Sequence, residues 1–158
     1  MPKYAAETSV TPDRSRAEIE RTLERYGATG FMYGWSGNQA MLAFEMNHRR
    51  LKFLLPLPDK SAVEFTHTPT GRRRTASASQ EAWEQATRQR WRALALVIKA
   101  KLEAVECGIT TFDEEFLAHI VLPNGGTVGE FMLPQVERAY QTLEMPPLLP
   151  MLPAQAGK

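Results

Sequence analysis

Apolar side chains between residues 11 and 26 recur at helical spacing, with Ala17, Ile19, Leu23 and Tyr26 on one narrow stripe. Arg14, Arg16, Glu18, Glu20, Arg21, Glu24 and Arg25 fill the other faces. Thr11 can cap the first turn, Pro12 suits it, Asp13 complements the helix dipole, and Gly27 suits a C-terminal stop. The spacing therefore predicts a surface helix of about four turns. From Thr29 the period drops to two. Phe31, Tyr33 and Trp35 alternate with Met32, Gly34 and Ser36, and after a Gly37-Asn38 turn Ala40, Leu42, Phe44 and Met46 share one face. Asn47-His48 makes a second turn. A third strand carries Leu51, Phe53 and Leu55 inward and ends at Pro56 and Pro58. The pattern predicts a three-stranded antiparallel meander.

Residues 59–79 show no sustained period and predict at most a short strand at 62–65. A long helix over 79–107 follows. Its apolar marks Trp83, Thr87, Trp91, Leu94, Ile98, Leu102 and Val105 step by threes and fours, a core-facing or coiled-coil-like seam. Leu96 and Val97 widen the seam, which predicts cover on more than one side, and Gly108 ends it. Thr111 and Glu114 form a capping-box pair before a helix that should turn Phe116, Leu117 and Ile120 inward. Pro123-Asn124-Gly125-Gly126 marks the tip of a small hairpin between Val121 and Val128. A last helix, 129–143, is expected to bury Phe131, Val136 and Tyr140. Beyond it, Met145 to Pro153 is too rich in proline for a helix and predicts an extended, polyproline-type strap.

These elements define an α+β protein with an N-terminal helix, a three-stranded meander, a long helix and a C-terminal helical subdomain. Residues 1–108 form an α-β-β-β-α core domain with a basic loop at 66–79. Residues 109–144 form a helical extension of the same domain, and 145–158 form a Pro-rich tail. A chain of 158 residues with 43% hydrophobic and 23% charged content builds its own core without a metal or disulfide. The single cysteine, Cys107, excludes an intramolecular disulfide and a cysteine-based zinc cage. The start Met1-Pro2-Lys3-Tyr4 has no apolar run behind it and no stretch reaches the length of a membrane span, so a cytoplasmic protein without membrane contact is expected.

Enzyme signatures are weak. Gly125-Gly126 lacks the lysine and strand context of a phosphate cradle. Cys107 falls at a helix C-terminus, which raises a thiol pKa, and reads as a buried or half-buried structural cysteine. Glu115 and His119 have ligand-like i,i+4 spacing, but two side chains do not make a metal site, and Asp113, Glu114 and Glu115 are what a first helical turn prefers. A non-enzymatic protein with no metal and no cofactor is the expectation.

Charge is more informative. Although the net charge is only +1, Arg72, Arg73 and Arg74 stand together in a Gly/Thr/Ser loop. Arg49, Arg50 and Lys52 follow the second turn, and Arg88, Arg92 and Lys99 are expected on the side of the long helix away from its seam. Arginine forks match phosphate oxygens, and Trp83 beside the loop is placed to stack on a base. These ten residues are the candidate nucleic-acid contacts. Pairs such as Glu84–Arg88 and Lys99–Glu103 are the competing, purely solvated reading of the helix charges. The aromatics Phe31, Tyr33 and Trp35 read as core rather than as a stacking platform.

The set Ser15-Arg16-Ala17-Glu18-Ile19-Glu20, Arg25-Tyr26-Gly27-Ala28, Leu54-Leu55-Pro56-Leu57-Pro58, Gln89-Arg90-Trp91-Arg92-Ala93-Leu94 and Leu122-Pro123-Asn124-Gly125-Gly126-Thr127-Val128-Gly129 resembles the small proteins carried by tailed phages and prophages. That resemblance implies a context, phage DNA metabolism or interference with host defence, and carries no known activity. The order helix, three antiparallel strands, long helix is also similar to a double-stranded-RNA-binding domain, with Arg72, Arg73 and Arg74 in the place of the basic segment that opens the second helix. This likeness is one of topology, since the hairpin turns are short and the chain continues about fifty residues further.

Two functions emerge as expectations. One is a non-enzymatic, phage-type accessory protein that binds DNA or RNA through the basic loop and helix. The other is a protein-binding inhibitor or adaptor acting on a host complex, for example in anti-defence. Trp91 with Leu148, Leu149 and Met151 of the tail are the candidate partner-binding residues. The length of the helix seam, more than a small sheet can cover, further predicts a homodimer.

Overall fold

The computed structural model describes residues 3–145, arranged as an α+β fold in the expected order. Helix α1 (Pro12–Arg25) is followed by strands β1 (Gly30–Ser36), β2 (Gln39–Met46) and β3 (Arg49–Pro56), paired antiparallel in the order β1-β2-β3. A one-turn helix α2 (Val63–Thr66) precedes the long helix α3 (Ala76–Glu106). Then come α4 (Phe112–Phe116), which tightens into a 3-10 turn at Leu117–His119, and α5 (Val128–Thr142). The capping residues work as their chemistry dictates: the hydroxyls of Thr11, Thr75, Thr111 and Thr127 each accept a backbone N–H from their helix. Asn47 and His48 both adopt positive φ, as a two-residue hairpin with the right-handed strand twist demands.

Alternation sets the core. The rows Phe31–Phe44–Leu51 and Tyr33–Leu42–Phe53 face the helices, and α1 supplies Ile19 and Leu23. Helix α3 supplies Trp91, Leu94, Ala95, Ile98 and Leu102, while Phe112 and Phe116 close the far end. Glu18 of α1 pairs with Arg92 of α3, and Tyr26 donates its hydroxyl to Glu103, so the two helices run in the same direction.

The described structure corrects several expectations. The segment 62–65 is not a strand; a turn held by Asp59 and Ser61 leads into α2, which buries Phe65. Trp35 is 70% exposed, because it pairs with Ala40 one row before the Ser36–Gln39 pair that closes the hairpin, on an edge strand flanked from one side only. Leu96 and Val97 do not widen the seam; they point away from it and are exposed. Leu117 is exposed because the change to three residues per turn rotates it outward, and Phe112 takes the inward position one turn before Phe116. Cys107 is exposed, being the residue at which α3 ends. The last helix buries Gly129 instead of Phe131, Val136 and Tyr140, because its first turn is the part packed tightly against the body.

The seam of α3 is not available for self-association either. Trp91 is only 2% exposed, its ring packed edge-on to Tyr33 at 5.6 Å with the Arg16 guanidinium over both rings. At its N-terminal end the seam is held by the Trp83 indole, which donates to the Pro58 carbonyl at 2.8 Å. The chain's lead-in runs along another side of α3, where Gln85 donates to the carbonyls of Ala6 and Thr8 and Gln89 to that of Tyr4.

Candidate interaction surfaces

Strand β3 carries the chain from one end of the body to the other, about 25 Å at ~3.3 Å per residue, and it separates the predicted basic residues into two groups. At its start, beside the 47–48 turn, are Arg49, Arg50 and Lys52. Past its other end, where Trp83 bonds Pro58, lie Arg72, Arg73, Arg74 and Arg88. Arg92 and Lys99 lie between them along α3. The candidate set is therefore not one surface.

Most of these cations already have partners. Arg49 reaches Asp113 at 3.0 Å and Arg50 reaches Glu45 at 3.3 Å, while Lys52 bonds Glu130 and the Gly125 carbonyl. Arg92 is the clearest correction. Instead of standing on a free side of α3, it makes a two-pronged pair with Glu18, at 2.6 and 2.9 Å, inside the α1–α3 contact. That fork holds the Glu18 carboxyl below the ordinary carboxylate range and the Arg92 guanidinium above its own. Arg88 folds onto Gln85, and Arg74 donates its Nε to the His67 carbonyl. Neither expected i,i+4 pair forms: Glu84 accepts from Gln80, and Glu103 from the Tyr26 hydroxyl, whose own proton is held more tightly for it.

The loop at 66–75 is more ordered than its composition predicts. Thr68 donates its N–H to the Arg72 carbonyl and Arg74 its N–H to that of Thr66, with Gly71 at positive φ, so a small turn presents Arg72 and Arg73 outward. Both are exposed, and neither meets an acidic side chain among the described residues. Trp83 is half-buried under Lys60, which lies 5.7 Å above its ring, and is not free to stack on a base.

Glu115 and His119 are not brought together as ligands. Glu115 accepts from Lys101 at 3.0 Å, whereas the His119 ring stacks on Phe53 at 3.8 Å. Burial and the nearby Lys101 charge hold His119 below its ordinary pKa, with a backbone bond to Lys52 pulling the other way. A shallow groove of about 800 Å3 opens between the 47–48 turn and the 121–125 turn, with His48, Arg49 and Arg50 on one wall and Val121 and Pro123 on the other. Its arginines are the ones paired to Asp113 and Glu45.

The surface that sequence reasoning missed is α5. The hairpin at 120–128 attaches to the β3 edge through Val121 N–H to Arg50 O and the Leu51–Ile120 bridge. Gly129 then lies so close to Ala118 that a Cβ there would meet its carbonyl oxygen at 2.9 Å. Met132, Leu133, Val136, Ala139, Tyr140 and Leu143 fall on one continuous apolar stripe. Met132 and Ala139, on its inner margin, are partly covered, but Leu133 is 65% exposed, Tyr140 80% and Leu143 89%, with Val136 exposed between them. The signal was in the sequence as the same periodicity; a stripe marks an apolar face without saying what lies against it. Leu148, Leu149 and Met151 lie outside the described residues.

Among the described residues, no helix is long and apolar enough to cross a membrane. No protein-family model, no curated protein and no solved structure matches the chain.

Proposed function

We propose that this protein is a non-enzymatic, protein-binding adaptor or inhibitor whose docking element is α5. The observation that carries the reading is the exposed half of the α5 stripe, Leu133, Val136, Tyr140 and Leu143. Side chains at i, i+3, i+7 and i+10 are the pattern with which an amphipathic helix enters an apolar groove of another protein. The body supports the same reading, because its cations are largely neutralised by its own acids and its overall charge is near zero, which disfavours a general polyanion binder. In the phage-like context read from the sequence, the partner is a component of a host complex, as an anti-defence protein requires.

The test is a cross-linked pull-down from host lysate under nuclease treatment, using the wild-type chain and a Val136→Ser/Tyr140→Ser variant. Nuclease-resistant capture that the variant loses supports the adaptor. Capture that the variant retains removes α5 from the mechanism.

A second reading rests on a separate observation, the outward presentation of Arg72 and Arg73 without acidic partners. Two such forks on one turn can straddle a phosphate backbone, and their affinity would fall steeply with salt. A gel shift at ~50 mM salt that Arg72→Ala/Arg73→Ala abolishes would support it. Absence of any shift with DNA or RNA would leave the adaptor as the sole reading.

A further inference from the structure

The two edges of the sheet are finished differently. On β3 the outer edge carries Arg50, Lys52 and Pro56, and the 120–128 hairpin caps it through Val121 N–H to Arg50 O and the Leu51–Ile120 bridge. Strand β1 reads Gly-Phe-Met-Tyr-Gly-Trp-Ser, without a charge or a proline, the devices that keep an edge from pairing. The phase of its backbone follows from the hairpins. Leu57 donates its N–H to the Asn38 carbonyl at 2.7 Å, so Ala40, Leu42, Phe44 and Met46 bond toward β3 and Met41, Ala43 and Glu45 toward β1. Their β1 partners are Gly34, Met32 and Gly30, which leaves Phe31, Tyr33 and Trp35 with N–H and C=O directed outward. Among the described residues, no other segment bonds the main chain of these three.

We propose that β1 is the interface of a homodimer, in which it pairs antiparallel with β1 of a second copy about a two-fold axis between their Tyr33 residues. This is the symmetric register in which all three outward residues meet one another: Tyr33 faces Tyr33, and Phe31 faces Trp35 of the second copy, each pair exchanging two hydrogen bonds. On the open side of the sheet the same register sets Met32 opposite Gly34 of the second copy. Two features of the single chain then acquire a cause. Met32 is 58% exposed and Trp35 70%, on a strand that one side alone supports. Gly34 has ordinary negative φ, and a Cβ there would meet nothing within 4 Å, so neither its turn geometry nor its own chain asks for a glycine. A glycine inside a strand often marks the close approach of another group, and here that group is the Met32 side chain. One strand supplies both the projecting side chain and the gap that receives it, which is why the occupant is a second copy.

The resulting sheet runs β3-β2-β1-β1-β2-β3, with about 24 Å between the two β3 strands at ~4.8 Å per spacing. Each outer edge keeps its 120–128 hairpin and the α5 that follows it. For its functional meaning the dimer rests on the α5 reading above: one assembly then offers two docking helices, and a partner with two grooves gains avidity without any new contact. The pairing itself needs no partner, and it is measured without one.

The experiment is sedimentation of the full-length chain from ~1 to ~200 µM, over which the mass should rise from one chain to two. Residue-specific amide exchange at both ends of that range locates the contact without any variant. Phe31, Tyr33 and Trp35 should exchange about tenfold slower in the dimer, while Met32 and Gly34, already bonded to β2, are unchanged. Trp35→Pro removes an N–H that faces outward, a place where an edge strand tolerates proline, and should raise the dissociation constant at least tenfold with β2 amides still protected. The mass of one chain throughout overturns the proposal. So does a dimer in which exchange at 31, 33 and 35 is independent of concentration, which would assign self-association to another surface. The adaptor reading is judged separately: Val136→Ser/Tyr140→Ser should leave the dimer intact, and a dimer that captures no partner keeps this interface and removes the adaptor.

Discussion

The α1–sheet–α3 body and the α5 arm are made of similar material: each element carries an apolar stripe at its own period, and the helices are capped by threonines. In the body every stripe meets another. Ile19 and Leu23 face Leu42 and Phe44, and Trp91 and Ile98 close over them, so the largest side chains are almost wholly buried. In the arm the stripe of α5 meets the body along one margin only, and Gly129 is its one fully buried residue. Burying an apolar side chain stabilises by ~1.5–3 kcal/mol, so the same pattern is a stability element in one region and a recognition element in the other. Charged groups divide in parallel: arginines of the body serve its own contacts, as Arg92 does with Glu18, while those of the 72–73 turn face solvent.

The most severe way to test this contrast is to remove bulk from each region. Phe116 is fully buried against the rings of Phe44, Phe53 and Phe112, so Phe116→Ala should cost ~3–5 kcal/mol in urea unfolding. The arm variant Val136→Ser/Tyr140→Ser should change the same global transition by less than ~0.5 kcal/mol. Similar losses from both would show that α5 belongs to the body's cooperative unit.

Next in size is Gly129→Ala, which forces a methyl group to within 2.9 Å of the Ala118 carbonyl. A cost of ~1–3 kcal/mol is expected, expressed as faster exchange over 128–143 with β2 unaffected. Exchange rising evenly across the protein would erase the boundary drawn between body and arm.

His119 joins the two regions, stacked on Phe53 just before the hairpin that carries α5. Its folded pKa lies below the ordinary value, so the unfolded chain takes up a proton first as pH falls. Stability from this group is therefore complete above about 6.5, the unfolded value, and is lost as pH falls through and below it. His119→Phe keeps an aromatic ring on Phe53 and should flatten that part of the melting temperature's pH profile. An unchanged profile would assign the acid sensitivity to other groups.

The smallest effect concerns the body alone. The Ser15 hydroxyl is buried without a partner, and replacing an unpaired buried polar atom by a methyl hydrogen relieves its desolvation cost. Ser15→Ala should stabilise by ~0.5–1 kcal/mol in thermal melts. A loss of stability would mean that the hydroxyl has a partner the side-chain packing does not reveal.

Where an element's signal was local, the sequence was legible. The meander, its two turns, the Thr11 and Thr111 caps and the row Ala40, Leu42, Phe44, Met46 were all readable, because period, positive-φ residues and short polar side chains act within a few positions of themselves. The candidate contacts were less legible. The isolation of Arg72 and Arg73 was visible in their loop, but the neutralisation of Arg92 by Glu18 crosses 74 residues of chain, and that of Arg49 by Asp113 crosses 64. No spacing rule along a helix reports such pairs. Trp91 was placed on the right stripe and given the wrong role, because its cover comes from Tyr33 and Arg16, which lie 58 and 75 residues away in sequence.

The sequence by itself determined which faces are apolar, where α1 and α4 are capped, and how the strands turn, since these depend on backbone geometry and side-chain chemistry read over a handful of residues. Only the tertiary structure decided which apolar face is covered and which cation is already paired. Those outcomes depend on what packing brings alongside from distant parts of the chain, and α5 and α3 carry stripes that look alike until their neighbours are in place.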